Sequence, residues 1–443
     1  MDADEDEDFL AGMAHFDTAA AEAAALLMLD DDQLHDQHLS GLRKNQFGDS
    51  ERRGGYHPHK KQRPGVAGRA GWQQEWWKGK LWRLLEEPRT YNESSWFGNR
   101  FRSLFGVPRI LFDELEDEAD IWMPDNKQQG SKGAASIPGR LKLAATLLFL
   151  RSGATLSHAA FCADIDFNTL KRWVRKFVAG SVERIYPKHV HWLDGPAHAD
   201  ERRSVLQLHD LLGMAGCIAG SDGSEFQVTC VRDDEPNAHT GGKSSVRART
   251  YNYTADARGI YHHCHGSHPS STNDKTMSQF DAYMQAIHNG TIYADVTFEL
   301  YTDNAGNRAV HKGLWLLTDN GYHPWRCCQY PTKHWVDLAD GYWSKTAESV
   351  RKPQTENGYG TIAKRWRAFA VPFHLSNGSD AQWDKSVAFM DNCMRFCIML
   401  QNRLLRHDGI SEIGSDPSHF YPRKRLSLTH IGYGPSLPNV AQL

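Results

Sequence analysis

Apolar residues recur at helical spacing from Trp96 onward. Phe97, Phe101 and Phe105 form one stripe and Leu111 and Leu115 a second, with Pro108 between them suited to the start of a new helix. In residues 137–152, Ile137, Leu141, Leu143, Ala144, Leu147, Leu148 and Leu150 are dense enough to predict a buried helix ending at Gly153, with Ser157 as the candidate cap of a short helix after it. A turn near Asp164 to Asp166 leads into Asn168 to Val178. There Leu170, Trp173, Val174, Phe177 and Val178 share one face, and Lys171, Arg172, Arg175 and Lys176 take the other. Helix, turn, basic helix is the order of a helix-turn-helix whose second helix docks on DNA, and equally of a surface helix with a solvated basic face.

After Pro187 the period shortens. Alternating runs at 217–230, 246–256, 258–265 and 314–318 predict the strands of a mixed α/β domain. Met390, Met394, Cys397, Leu400 and Leu404 return to helical spacing between Gln382 and Arg406 and predict a core-facing helix. The expected organisation is an acidic, largely disordered region over 1–90, a helical region with the helix-turn-helix over 91–200, the α/β domain over 201–410 and a tail over 411–443.

Charge adds one feature to this picture. The net charge of -3 conceals a split, because residues 1–50 hold 13 of the 54 acidic and 2 of the 51 basic side chains, leaving 41 acidic against 49 basic, or +8, for the rest. A mildly basic folded part is compatible with a polyanionic partner without requiring one. The longest apolar run, Leu141 to Leu150, contains Lys142 and lies between Arg140 and Arg151, so no membrane span is expected. The opening residues are acidic rather than a basic stretch followed by an apolar one, so the eight cysteines are expected to be reduced thiols. The segment His59-Lys60-Lys61-Gln62-Arg63-Pro64 suits a nuclear import signal.

Two apolar strands each deliver an aspartate into a glycine turn: Gly216-Cys217-Ile218-Ala219-Gly220-Ser221-Asp222-Gly223, and Leu314-Trp315-Leu316-Leu317-Thr318-Asp319-Asn320-Gly321-Tyr322. Small neighbours let a metal ion or phosphate approach, although a single carboxylate beside glycine is often only a turn cap. Downstream, Glu356 heads a helix rich in positive charge, Glu356-Asn357-Gly358-Tyr359-Gly360-Thr361-Ile362-Ala363-Lys364-Arg365-Trp366-Arg367. Glu348 is a nearby competitor, but it lacks the glycine and basic residues that follow Glu356.

By these motifs and their order the chain resembles the PIF/Harbinger superfamily of DDE transposases and host proteins derived from it, over roughly residues 95–410. Asp256-Ala257-Arg258-Gly259 and Gly266 to Asp274 look like that family's paired central strands and the turn after them. The resemblance implies an RNase H-like catalytic domain in which Asp222, Asp319 and Glu356 hold two Mg²⁺ or Mn²⁺ ions. It also implies cutting and joining of DNA at terminal inverted repeats, in the nucleus. Two such ions stabilise the attacking and leaving oxygens of an in-line displacement at phosphorus, and hard cations favour oxygen ligands. Oligomerisation and a Myb-like accessory protein are expected as well. Lys364, Arg365 and Arg367 are candidate contacts to the DNA backbone. The alternative class is a domesticated, non-catalytic DNA-binding or scaffolding protein.

Two lures remain. Lys243 after Gly241-Gly242 suggests a nucleotide loop, but Asn237 stands where that motif needs glycine. In His262-His263-Cys264-His265, strand alternation lets only His263 with His265, or His262 with Cys264, share a zinc ion. Cys327-Cys328, Cys393 and Cys397 read as buried thiols.

Overall fold

Phe101, Phe105 and Phe112 meet edge to face at the centre of the first helices, with Phe101 4.6 Å from Phe105 and 5.5 Å from Phe112 between ring centroids. They come from α2 (Trp96–Phe105) and α3 (Arg109–Asp120), which follow α1 (Lys80–Glu86) and precede α4 (Gly139–Ser152). The computed structural model describes residues 79–123, 137–229, 238–241, 246–301, 307–334, 336–376 and 378–409. The acidic run, the basic segment at 59–64, Lys243 and the tail 411–443 lie outside them. Helix α1 begins inside the stretch read as disordered, because Leu81 and Leu85 reach the core.

Next come α5 (Leu156–Cys162) and α6 (Phe167–Arg184). Thr155, not Ser157, caps α5, its hydroxyl accepting from the His158 amide at 3.2 Å. Asp166 caps α6 in the same way through the Thr169 amide. Helix α6 runs beyond Val178 because its buried face continues through Ser181. Arg172, Arg175 and Lys176 are exposed, as the alternation required, whereas Lys171 is half-buried. A single turn at Tyr186–His189 and helix α7 (Ala199–Leu211) lead to the sheet.

Strands β1 (Cys217–Gln227), β2 (Ala248–Ala255), β3 (Tyr261–Pro269), β6 (Trp315–Leu317) and β7 (Cys328–Gln329) form one sheet in the order β3-β2-β1-β6-β7. β1, β2 and β3 pair antiparallel, while β6 and β7 run parallel to β1. Strands β4 (Thr297–Tyr301) and β5 (Arg308–Lys312) make a separate hairpin. β3 extends into the stretch read as a turn, because His268 and Pro269 still pair with Thr250 and Arg249.

Period-two alternation sorts the sheet's residues between two helical layers. Ile218 and Leu316 pack with Tyr283 and Met284, in the layer of α8 (Asp274–Phe280) and α9 (Ala282–His288). On the opposite face Cys217 and Leu317 pack with Ala347 and Val350 of α10 (Leu338–Gln354), followed by α11 (Glu356–Arg365) and α12 (Asp380–His407). One buried cluster runs from the first helices through α12 to Tyr251, Tyr253 and Tyr261, so the helical region and the sheet share a core.

Helix α12 is tied to the sheet edge by a side chain that imitates a strand. Asn402 is fully buried; its Oδ1 accepts from the Tyr261 amide at 2.9 Å and its Nδ2 donates to the Tyr261 and His189 carbonyls at 2.8 Å. Asn402→Ala strands buried backbone groups that each cost about 1–3 kcal/mol. Denaturant unfolding should show a loss of about 3 kcal/mol, and a loss within measurement error would contradict the pairing.

Candidate metal centre

Strand β1 passes between the helical layers because its residues there are small. A methyl group at Gly220 would begin 2.5 Å from Gln354 Oε1 and 3.2 Å from Gln354 Cβ and Thr355 Cγ2, so the glycine lets the end of α10 lie close against the strand. Two positions on, on the same face, stands Asp222, opposite Tyr253. Its Oδ1 accepts from the Gly223 amide at 2.8 Å and its Oδ2 from Arg351 Nη1 at 2.8 Å. Asp319 stands two residues past the end of β6, and its Oδ1 accepts from the Gly321 amide at 2.7 Å. Asp319 is therefore a turn cap, whereas Asp222 stands inside strand β1 with its second oxygen facing a cation.

Glu356 is the first residue of α11, set off from α10 by Thr355. Pro353, inside the last turn of α10, has no amide to continue the helix. Glu356 Oε1 accepts from Arg351 Nη2 at 2.9 Å, so one guanidinium joins Glu356 to Asp222. Glu348, the rejected competitor, holds Arg351 Nε at 3.0 Å from one turn earlier on α10.

A fourth acid completes the group. A methyl at Gly321 would start 2.5 Å from Asp274 Oδ2 and 2.9 Å from Asp319 Oδ1, and one at Gly223 would start 3.1 Å from Asp274 Oδ1. The two glycines thus form a cradle that admits the Asp274 carboxylate from the opposite layer, at the head of α8. In the sequence Asp274 stands only as the end of a turn. Its signal was an acid in the first turn of a helix right after the third strand, capped by Asn273.

Charge in the group is unbalanced. Burial pushes the Asp222 carboxyl up to about 7; Arg351 opposes the shift, and the carboxylates of Asp319 and Asp274 add to it. Burial pulls the Arg351 guanidinium down, but its bond to Glu348 and the charges of Asp222, Glu348 and Glu356 hold it above its ordinary value.

The Asp222 shift carries a testable sign. Unfolded, the carboxyl releases its proton near the ordinary value of about 3.9. The fold holds that proton up to about 7, so this group's contribution to metal-free stability falls as pH rises between these values and levels off above them. Thermal unfolding in chelator from about pH 5 to about pH 8 should show the native chain losing stability relative to Asp222→Asn. Parallel curves would contradict the shift.

The chain matches no family model, no curated protein and no solved structure. Function has to be read from the chemistry of the residues themselves.

The other candidate residues stand as follows. Lys364 is exposed at the end of α11, and its carbonyl accepts from Arg151 Nη1 at 3.2 Å. Arg365 turns inward, with Nη1 donating to Gln401 Oε1 at 3.1 Å, and Arg367 is half-buried. Lys171, Arg172, Arg175 and Lys176 belong to α6, on a different element from the acids.

In the histidine cluster, His262 Nε2 lies 3.0 Å from Asp256 Oδ2 and Cys264 is buried in the core on the other face. His263 and His265 share a face with Asp281, with ligand atoms within 4.8 Å of one another. Trp192 Nε1 donates to His263 Nδ1 at 3.3 Å, which leaves the ring proton on Nε2, 3.3 Å from Asp281 Oδ1. His265 and His268 pair through their Nε2 atoms at 2.7 Å. A metal on His263 Nε2 would need the proton on Nδ1, against the Trp192 donor. Cys217, Cys327, Cys328, Cys393 and Cys397 are buried free thiols.

Proposed function

We propose that this chain is a metal-dependent enzyme that cuts and joins DNA, of the DDE transposase type, with an RNase H-like catalytic domain. The strand order supports the fold reading, since three antiparallel strands are followed by two parallel ones on the far side of β1. The observation that carries the function is that Arg351 joins Asp222 to Glu356, while Asp319 and Asp274 lie close enough to act on Asp222 through their charge; Asp222, Asp319 and Glu356 stand 97 and then 37 residues apart. Crowding four carboxylates costs stability unless a cation sits among them.

The donor set fits Mg²⁺ or Mn²⁺, being all oxygen and drawn from a strand, the turn after β6 and two helices. Asp222, Asp319 and Glu356 would hold the ions. When bound, the ions supply charge stabilisation for the oxygens at phosphorus and activate water. The chain's own residues do the rest. The Gly223 and Gly321 amides fix the carboxylate of Asp222 and of Asp319, and the two glycines leave room for the Asp274 carboxylate beside them.

The exposed face of α6 (Arg172, Arg175, Lys176) is proposed as the DNA-docking surface, with Lys171 at its edge and Lys364 as a second contact. Terminal inverted repeats, a nuclear site of action, self-association to join two ends and a Myb-like accessory protein follow from the same reading. The rival reading, a domesticated DNA-binding or scaffolding protein, is favoured by one observation: Arg351 already ties Asp222 to Glu356 by ion pairs that need no metal.

A DNA fragment carrying the flanking terminal sequences, incubated with the full chain and Mg²⁺ or Mn²⁺, separates the two. Metal-dependent strand cutting supports the enzyme. Binding that weakens in the triple variant Arg172→Ala, Arg175→Ala, Lys176→Ala, with no cutting by any chain, supports the scaffold.

A further inference from the structure

A guanidinium sits where the proposed function wants a divalent cation. The Arg351 side chain is 6% exposed. Its Nη1 donates to Asp222 Oδ2 at 2.8 Å, and its Nη2 donates to Glu356 Oε1 at 2.9 Å and to Glu348 Oε1 at 3.2 Å. Its Nε donates to Glu348 Oε2 at 3.0 Å. Two of the three proposed ligands, from a strand and a different helix, are thus bridged by one positive charge. The third partner is of another kind. Glu348 lies on the arginine's own helix and grips the fork through both oxygens, a bidentate pairing that does not depend on the other two acids.

We propose that Arg351 is a built-in competitor for the metal, closing Asp222 on Glu356 in the metal-free protein and withdrawing onto Glu348 as a divalent ion loads. This rests on the metal-centre reading above. The Asp222 oxygen that Arg351 occupies is the one not used by the Gly223 amide, so an ion and the guanidinium compete for the same lone pairs. The competition serves folding. Without a cation, Asp222, Asp274, Asp319 and Glu356 repel one another in a partly buried space, and a tethered arginine lets the sheet and α10 assemble before metal is bound. After withdrawal the charge stays beside the centre, held by Glu348, where the phosphate of a bound strand would meet it. Arg351 is therefore a positioning residue. Glu348, unsuited as a third ligand, is the acceptor that makes release possible.

Mn²⁺ binding to the full chain, followed by the electron paramagnetic resonance of free Mn²⁺, reads this without any activity. A site left open by its arginine only about a tenth of the time binds about tenfold more weakly than the open site, so Arg351→Gln should bind Mn²⁺ about tenfold more tightly than the native chain. Glu348→Gln removes the place of withdrawal and should weaken binding by about threefold. Opposite signs are the signature, since an arginine that merely holds the fold together would weaken binding in both variants. Arg351→Lys keeps the charge but loses the fork, and should fall between native and Arg351→Gln; it also serves if the Gln variant does not fold. Binding by Arg351→Gln or Arg351→Lys no tighter than native overturns the proposal while leaving the metal centre standing. No Mn²⁺ binding by the native chain, or equal binding by Asp319→Asn, overturns the metal centre and the proposal with it.

Discussion

Asp319→Asn should abolish metal-dependent DNA cutting, by about a thousandfold or more, equivalent to about 4 kcal/mol of transition-state stabilisation. Among the acids this is the cleanest substitution. Asp319 Oδ1 accepts from the Gly321 amide, and an asparagine oxygen accepts that bond equally well, so the turn after β6 is kept. What disappears is the negative charge a divalent ion needs. Asp222→Asn and Glu356→Gln should cut as poorly, but each also releases one arm of Arg351 and so changes more than the ligand set. The check is single-turnover cutting with Mg²⁺, alongside circular dichroism and DNA binding for each variant. If Asp319→Asn keeps its fold and its DNA and still cuts at the native rate, Asp319 is not a ligand.

Trp366→Ala should cost about 3–5 kcal/mol, the range for emptying a large aromatic from a core. Among the described residues Trp366 is the largest fully buried side chain, and it directly follows α11, the helix that Glu356 begins. Its ring fills the space beside Gly106, the left-handed residue ending α2, where even a methyl group would begin 2.8 Å from the indole. Removing the ring therefore loosens α11 from the N-terminal helices as well as opening a cavity. Equilibrium denaturation should show the loss, with Trp366→Phe restoring part of it. A loss below about 1 kcal/mol would mean that α11 is not anchored through this contact.

The helices from 96 to 152 and the long helix at 380–407 were legible because each buries a continuous stripe at helical spacing, which needs no knowledge of the partner. Strand β1 was legible for the same local reason. The far end of β3 was not: Gly266 to Pro269 reads as a turn, and only pairing with β2 keeps it extended. Thr155 and Ser157 are equally good caps by type, and the choice falls to Thr155 because α5 starts at Leu156. At the centre, Asp222, Asp319 and Glu356 are marked by glycine and apolar neighbours in sequence. Asp274 and Arg351 are not, because their meaning lies in what the fold brings to them. Asp274 fits because Gly223, in β1, and Gly321, in the turn after β6, both lack side chains. Arg351 looks like one more charge on a solvated helix until Asp222 closes on it.

The most direct test of the central claim is a crystal structure of the full chain soaked in Mn²⁺, with the ions located by anomalous scattering. The account predicts manganese within bonding reach of Asp222 with Asp319 or Glu356, and the Arg351 fork withdrawn onto Glu348. A map in which the carboxylates bind no manganese while Arg351 still bridges Asp222 and Glu356 would contradict it.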